Sequence, residues 1–319
     1  MKTILTALIA SILLLSSRPS QAENSVYNPH ENCPERDISQ DSMPDNIFNG
    51  EKAGTLGWCF AHSAADILSD HYKKKFSVHD IATYFFNSEM YKQFIKPGVD
   101  RIFKHPAGGH SLWALKALEN KPVCFEKDTD FYQGHWQKMA GKIQEFSSTE
   151  LQTQVNRLDP ADFLDQKKLE FVNFPPEERL GKLFEQTCRS KGQKIDYSQT
   201  RIKSWGFNSL EIEDFVPSRF ENYTMINESL VKSNQPVSIG FDVSLLFEGR
   251  DDILHAATLI GQKRINGICL YKIRNNSGKT CKMKTEKLAA GVICDENSDI
   301  FFVDRERALP RILFGTWFE

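Results

Sequence analysis

Two patterns of apolar positions divide this chain. Early on, Phe60, Ala64, Ile67 and Leu68 recur at helical spacing, while His62, Asp66, Ser69 and Lys73 fall mostly on the other side. That periodicity predicts an amphipathic helix over about 58–72. Further helices are predicted over 78–86 and 112–118, the second entered after Gly108 and Gly109. Between about 126 and 205 the texture turns polar, with Leu151, Val155, Leu158 and Leu180, Leu183, Phe184 at helical spacing around Pro175-Pro176. We read this as a helical insertion. From Gln235 the period shortens, and strands are predicted over 237–243, 256–260, 268–273 and 300–303. Helices early and strands late predict an α+β fold in two lobes. The helical lobe covers about 50–125, the helical insertion about 126–205, and the β lobe about 206–319.

The first 22 residues stand apart. Lys2, an apolar run from Ile4 to Leu15, and the small residues ending at Ala22 read as a secretory signal, too short to span a bilayer comfortably. The chain after it is expected to be exported, periplasmic or extracellular, with no membrane span. Residues 23–50 read as a polar, turn-rich strap.

The composition is that of an ordinary globular protein, 40% hydrophobic and 26% charged. With 40 basic against 42 acidic residues there is no basic excess to grip phosphates, so nucleic acid is excluded as the expected partner. Seven cysteines (Cys33, Cys59, Cys124, Cys188, Cys269, Cys281 and Cys294) in an exported chain predict disulfides with at least one thiol left over. Cys281 and Cys294, close in the chain, are the expected pair. The histidines and cysteines lack zinc-ligand spacing, and no metal or other cofactor is expected. Asn222, Asn227 and Asn275 each begin an N-x-Ser/Thr acceptor match.

Cys59 falls in the first turn of the predicted helix, where unpaired backbone N–H groups favour a thiolate. A nucleophilic thiolate needs a base and a group that orients the base. His255 opens one predicted strand and Asn275 closes the next, so adjacent strands would bring them together.

These residues carry a resemblance. Gly57-Trp58-Cys59-Phe60-Ala61-His62-Ser63 resembles the nucleophile segment of papain-like cysteine proteases. Gly108 and Gly109 resemble that family's glycine pair, which binds a substrate backbone. Asn234-Gln235-Pro236-Val237-Ser238, His255-Ala256-Ala257 and Asn275-Asn276-Ser277-Gly278 resemble its later motifs, in the family's order. The resemblance implies a papain-like two-lobed fold and a peptidase with Cys59 as nucleophile, His255 as base and Asn275 as orienting group. It implies a peptide or protein substrate held at Gly108 and Gly109. His62 reads as packed against the lobe interior, and His110 as a surface histidine near the substrate. His255 lies further beyond Cys59 than the family's about 130–150 residues, an excess the insertion would absorb.

Two positions depart from the pattern. Ala53 stands where the family carries the oxyanion-hole glutamine, and Gly278 stands where it carries a tryptophan shielding the asparagine. The alternative reading is therefore a catalytically weak domain that binds a peptide, an inhibitor or another protein partner through its cleft. One oxyanion donor is worth about 10²–10³ in rate. Ala53→Gln is thus expected to raise peptide hydrolysis; an already brisk parent with no gain would mean that another donor serves.

Overall fold

The computed structural model describes residues 33–38, 58–92, 109–129, 176–206, 217–249, 254–275, 287–295 and 300–319. The expected leader, Ala53, Gly108, Cys281 and the stretch 130–175 lie outside these residues.

The predicted helices form as α1 (Cys59–Tyr72), α2 (Val78–Asn87) and α3 (Ser111–Ala117). Helix α1 ends where Lys73 turns left-handed at φ 51° and its N–H returns to the carbonyls of Ser69 and Asp70. Ser77 caps α2 by accepting from the Asp80 N–H at 3.3 Å. The polar side of α1 does not face water. His62, Ser63, Asp66, Ser69 and Asp70 are all buried, as are Phe60, Ile67 and Leu68. The apolar stripe packs among α2 and α3, while the polar one turns toward the strands. A polar stripe can be buried only where partners satisfy it: the sheet supplies them for Ser63 and Asp66, while the Phe76 N–H donates to Ser69 Oγ and Lys73 Nζ to Asp70 Oδ1.

Those strands are β1 (Arg36–Asp37), β4 (Ile202–Gly206), β5 (Val237–Asp242), β6 (Leu254–Ile265), β7 (Ile268–Arg274), β8 (Ile293–Asp295), β9 (Ile300–Asp304) and β10 (Ile312–Phe318). They make one antiparallel sheet in the order β4-β10-β5-β6-β7-β9-β8, with β1 pairing the far half of β6. Val237, Ile239, Phe241, Leu259, Ile273, Phe301 and Val303 are fully buried in it. Each such side chain contributes about 1.5–3 kcal/mol of burial free energy. Asn266 and Gly267, at φ 51° and 81°, make the two-residue turn that fixes the β6–β7 register. The fold is α+β, with α1–α3 preceding most of the antiparallel sheet.

The segment expected as a helical insertion contributes more than helices. It does hold α4 (Pro176–Thr187), but Ile202–Gly206 is an edge strand of the main sheet. The sheet therefore begins before residue 206. A second ladder pairs β2 (Pro122–Val123) with β3 (Gln193–Lys194). The disulfide Cys124–Cys188 closes the same seam. Beside it the Arg189 guanidinium donates to Asp80 Oδ1 at 2.8 and 3.0 Å, and the Cys124 N–H donates to Asp80 Oδ2 at 2.8 Å. Asp80 is thus held from both sides of the cystine.

A second disulfide, Cys33–Cys269, fastens the N-terminal strap to β7, and Lys272 Nζ donates to Asp37 at 2.7 Å. Cys294 is also disulfide-bonded, while its expected partner lies outside the described residues. Among the described residues Cys59 is the cysteine left out of a disulfide. Helix α5 (Arg219–Asn227) carries Asn222, whose amide accepts from Trp205 Nε1 at 2.6 Å and donates to Leu309 and Ile312 carbonyls. Buried and fully engaged, Asn222 is no acceptor for a sugar in the folded protein.

Removing one member of a buried ion pair strands the other, at about 3–5 kcal/mol. Arg189→Met is expected to lower unfolding free energy by about that amount in urea titrations. A loss as small as that of an exposed pair, about 0–1 kcal/mol, would mean that Asp80 does not depend on Arg189.

Candidate active site

Cys59 is the first residue of α1, after an N-cap position, Trp58, whose side chain makes no capping bond and with no acidic residue in the first turn. Nothing anionic on that turn competes for the helix's first N–H groups, so their positive field falls on the sulfur. His255 is the second residue of β6, and Asn275 immediately follows β7. The β6–β7 ladder opposes Thr258 to Arg274. One step on, Asn275 faces Ala257, a diagonal neighbour of His255 on the same side of the sheet. There Asn275 Oδ1 lies 2.7 Å from His255 Nε2.

That contact fixes the ring's chemistry. An amide oxygen only accepts, so Nε2 carries the proton and donates, leaving Nδ1 to meet the thiol. Cys59 and His255 are hydrogen-bonded, and each shifts the other. Burial pushes the Cys59 thiol up. The His255 imidazole, with the N–H groups of Ala256 and Phe60, outweighs this and leaves it below the ordinary thiol value. Burial likewise pushes His255 down, while Cys59 and then Asn275 carry it above the ordinary imidazole value. Each partner thus shifts the other toward its charged form, the thiol toward thiolate and the ring toward imidazolium. Phe241, paired with His255 across the ladder, meets its ring edge-on at 5.6 Å between centroids.

His62 is buried in the interior, as expected. Burial, then the charge of Arg274, holds it well below the ordinary imidazole value, so it is neutral and adds no competing cation. His110 departs from expectation. It is buried, its Nδ1 accepts from the Leu112 N–H at 3.1 Å to cap α3, and its ring stacks on Phe314 at 3.8 Å. Its ring is committed to structure. Gly109 lies against the residue after the cysteine: a Cβ there would come within 2.9 Å of the Phe60 ring and 2.8 Å of Phe85. No side chain fits between that backbone and the start of α1.

Behind the three residues runs a buried polar seam that the sequence reading did not identify. Ser111 Oγ donates to the Phe60 carbonyl at 3.1 Å, and Ser238 Oγ donates to Ser111 Oγ at 2.6 Å. Ser63 Oγ lies 2.7 Å from Ser238 Oγ and 2.8 Å from the Ala257 carbonyl. Asp66 then receives Thr258 Oγ1 at 2.6 Å and the Arg274 guanidinium. No signal in the sequence marks it, since Ser63 and Asp66 look alike in the pattern whether water or a second polar surface satisfies them.

Neither a family model nor a curated protein matches the sequence. Among solved structures the chain is similar to xylellain, a cysteine protease from Xylella fastidiosa, at 15% identity over 89% of this chain and 84% of that one, TM-score 0.45. It is similar to a structure from work on the mite allergens Blo t 1 and Der p 1, at 13% identity over 92% and 73%, TM-score 0.46. It is also similar to procathepsin B S9 from Trypanosoma congolense, at 14% identity over 85% and 76%, TM-score 0.41.

The pair's titration sets the pH behaviour. A lowered Cys59 keeps its charge to lower pH than a free thiol, and a raised His255 keeps its proton to higher pH than a free imidazole. Alkylation of Cys59 by iodoacetamide, followed by mass, is therefore expected to persist below the ordinary thiol range. In His255→Ala the opposing burial remains, so the rate should rise only at or above that range. An unchanged profile would mean that the imidazole does not set the thiol's charge.

Proposed function

We propose that this protein is an exported cysteine peptidase of the papain-like type, hydrolysing peptide bonds with Cys59, His255 and Asn275. The observation that carries this reading is the 2.7 Å contact of His255 Nε2 with Asn275 Oδ1, on a ring that also pairs with Cys59. An orienting group, a base and a helix-terminal thiol are what acyl transfer by a thiolate requires.

In the first half-reaction the Cys59 thiolate attacks the scissile carbonyl carbon and the oxygen takes the electron pair. The Cys59 backbone N–H, at the head of α1, is the donor this chain offers that oxygen. His255 gives its Nδ1 proton to the departing amine as the C–N bond breaks, leaving a thioester. In the second half His255 takes a proton from water, the hydroxide attacks the thioester, and the proton returns to the sulfur as the acid leaves. Asn275 holds the ring in one tautomer throughout. Gly109, against Phe60 and without a side chain in the way, would present its backbone to a peptide's main chain. Gly108 is proposed beside it on the resemblance alone. No cofactor enters these steps.

The apolar leader supports export, as do the cystines, which persist in oxidising compartments. No described helix is long and apolar enough to cross a membrane.

Hydrolysis of a fluorogenic peptide should follow a bell-shaped pH profile, lost on the acid side as Cys59 gains a proton and on the basic side as His255 loses one. Cys59→Ala should abolish turnover, and His255→Ala should cost about 10²–10⁴ in kcat/KM. An epoxide thiol inhibitor should label Cys59 in the parent and not in His255→Ala. Labelling without any hydrolysis across a peptide library would instead support a binding domain.

A further inference from the structure

We propose that Asp66 is a positioning residue for the Asn275–His255 arm of the site, acting through Thr258 and Arg274. This rests on the peptidase reading for its meaning but on its own geometry for its existence. One oxygen, Asp66 Oδ2, receives both the Thr258 hydroxyl and the Arg274 guanidinium. Those two residues are a directly opposed pair on β6 and β7. They form the last register pair before the chain reaches His255 on one strand and Asn275 on the other. Thr258 is three residues beyond His255, Arg274 is the residue before Asn275, and Asp66 lies two turns along α1 from Cys59. A single buried carboxylate therefore ties together all three chain segments that bring the nucleophile, the base and the orienting amide.

The position on the ladder explains why a tie is needed there. Strand ends fray, and a shift at the end of the β6–β7 ladder would move Asn275 relative to His255. Displacing an oriented group by as little as about 1 Å can cost two orders of magnitude in rate. The ladder is already irregular between Leu259 and Gly261, so few regular pairs lie between that bulge and the site. Arg274, buried and charged, cannot be left unpaired, and Asp66 answers it. The groups facing the tie are Thr258 and Arg274 from the sheet, the neutral imidazole of His62 from α1, and the charge of Lys75 beyond the end of α1.

The test needs no turnover, so it is separable from the peptidase reading. His255 ring titration by NMR and the pH profile of Cys59 alkylation are measured in the full chain for the parent, Asp66→Asn, Asn275→Ala and the double variant. Thr258→Val removes one donor to Asp66 at nearly constant volume and serves if Asp66→Asn does not fold. Asp66→Asn is expected to move the His255 titration toward lower pH, in the same direction as Asn275→Ala, with Thr258→Val moving it less. In the Asn275→Ala background Asp66→Asn should move it little further, since its effect passes through the amide. Full additivity in the double variant, or an unmoved His255 titration in folded Asp66→Asn or Thr258→Val, would overturn the proposal. If the parent shows these titrations but hydrolyses no peptide, the peptidase reading falls and the positioning role stands.

Discussion

The proton shared between the Cys59 sulfur and the His255 ring is the interaction on which the site depends. Both groups are partly buried, and burial opposes the charged form of each. Each becomes acceptable as an ion only because the other is one. The helix terminus tilts this balance toward the thiolate, and the amide of Asn275 tilts it toward the imidazolium. A base that merely lay near the thiol would do less, because its second nitrogen would be free to choose its tautomer.

The fold delivers those groups from separate places. Helix α1 is buried on nearly all sides, with aromatic packing among α2 and α3 and a polar stripe against the sheet. The stripe makes the join between helix and sheet directional. Serines 63, 111 and 238 connect the carbonyl of Phe60 to the strand of His255. An apolar join could slide, whereas a hydrogen-bonded one has a single register. Such a join costs stability unless every member is satisfied, and this seam meets that condition from Ser111 to Asp66.

Much of this was legible in the sequence because it is periodic. The first helix repeats at 3.6 and the strand from Val237 at 2 over runs long enough to stand out, and Cys59, His255 and Asn275 fall at the element ends where chemistry can be exposed. The buried polar stripe was not legible, because His62, Asp66 and Ser69 look the same in a pattern whether water or a second polar surface satisfies them. Ile202–Gly206 is a strand inside a polar, helix-like stretch, and only its pairing with β10 makes it one. Asn266-Gly267 was a hairpin signal in plain view and would have extended β6 to its full length. His110 read as a surface residue because the ring that covers it, Phe314, lies some two hundred residues away.

Linkage makes the central pair testable from its less reactive side. Whatever His255 does to the titration of Cys59, Cys59 must do in equal measure to His255. NMR titration of the His255 ring in the parent and in Cys59→Ala isolates that term. With the sulfur gone, burial is left to oppose the imidazolium, and the ring's apparent pKa should fall from above the ordinary imidazole value. A ring that titrates identically in both proteins would contradict the account, since the two groups would then share no proton.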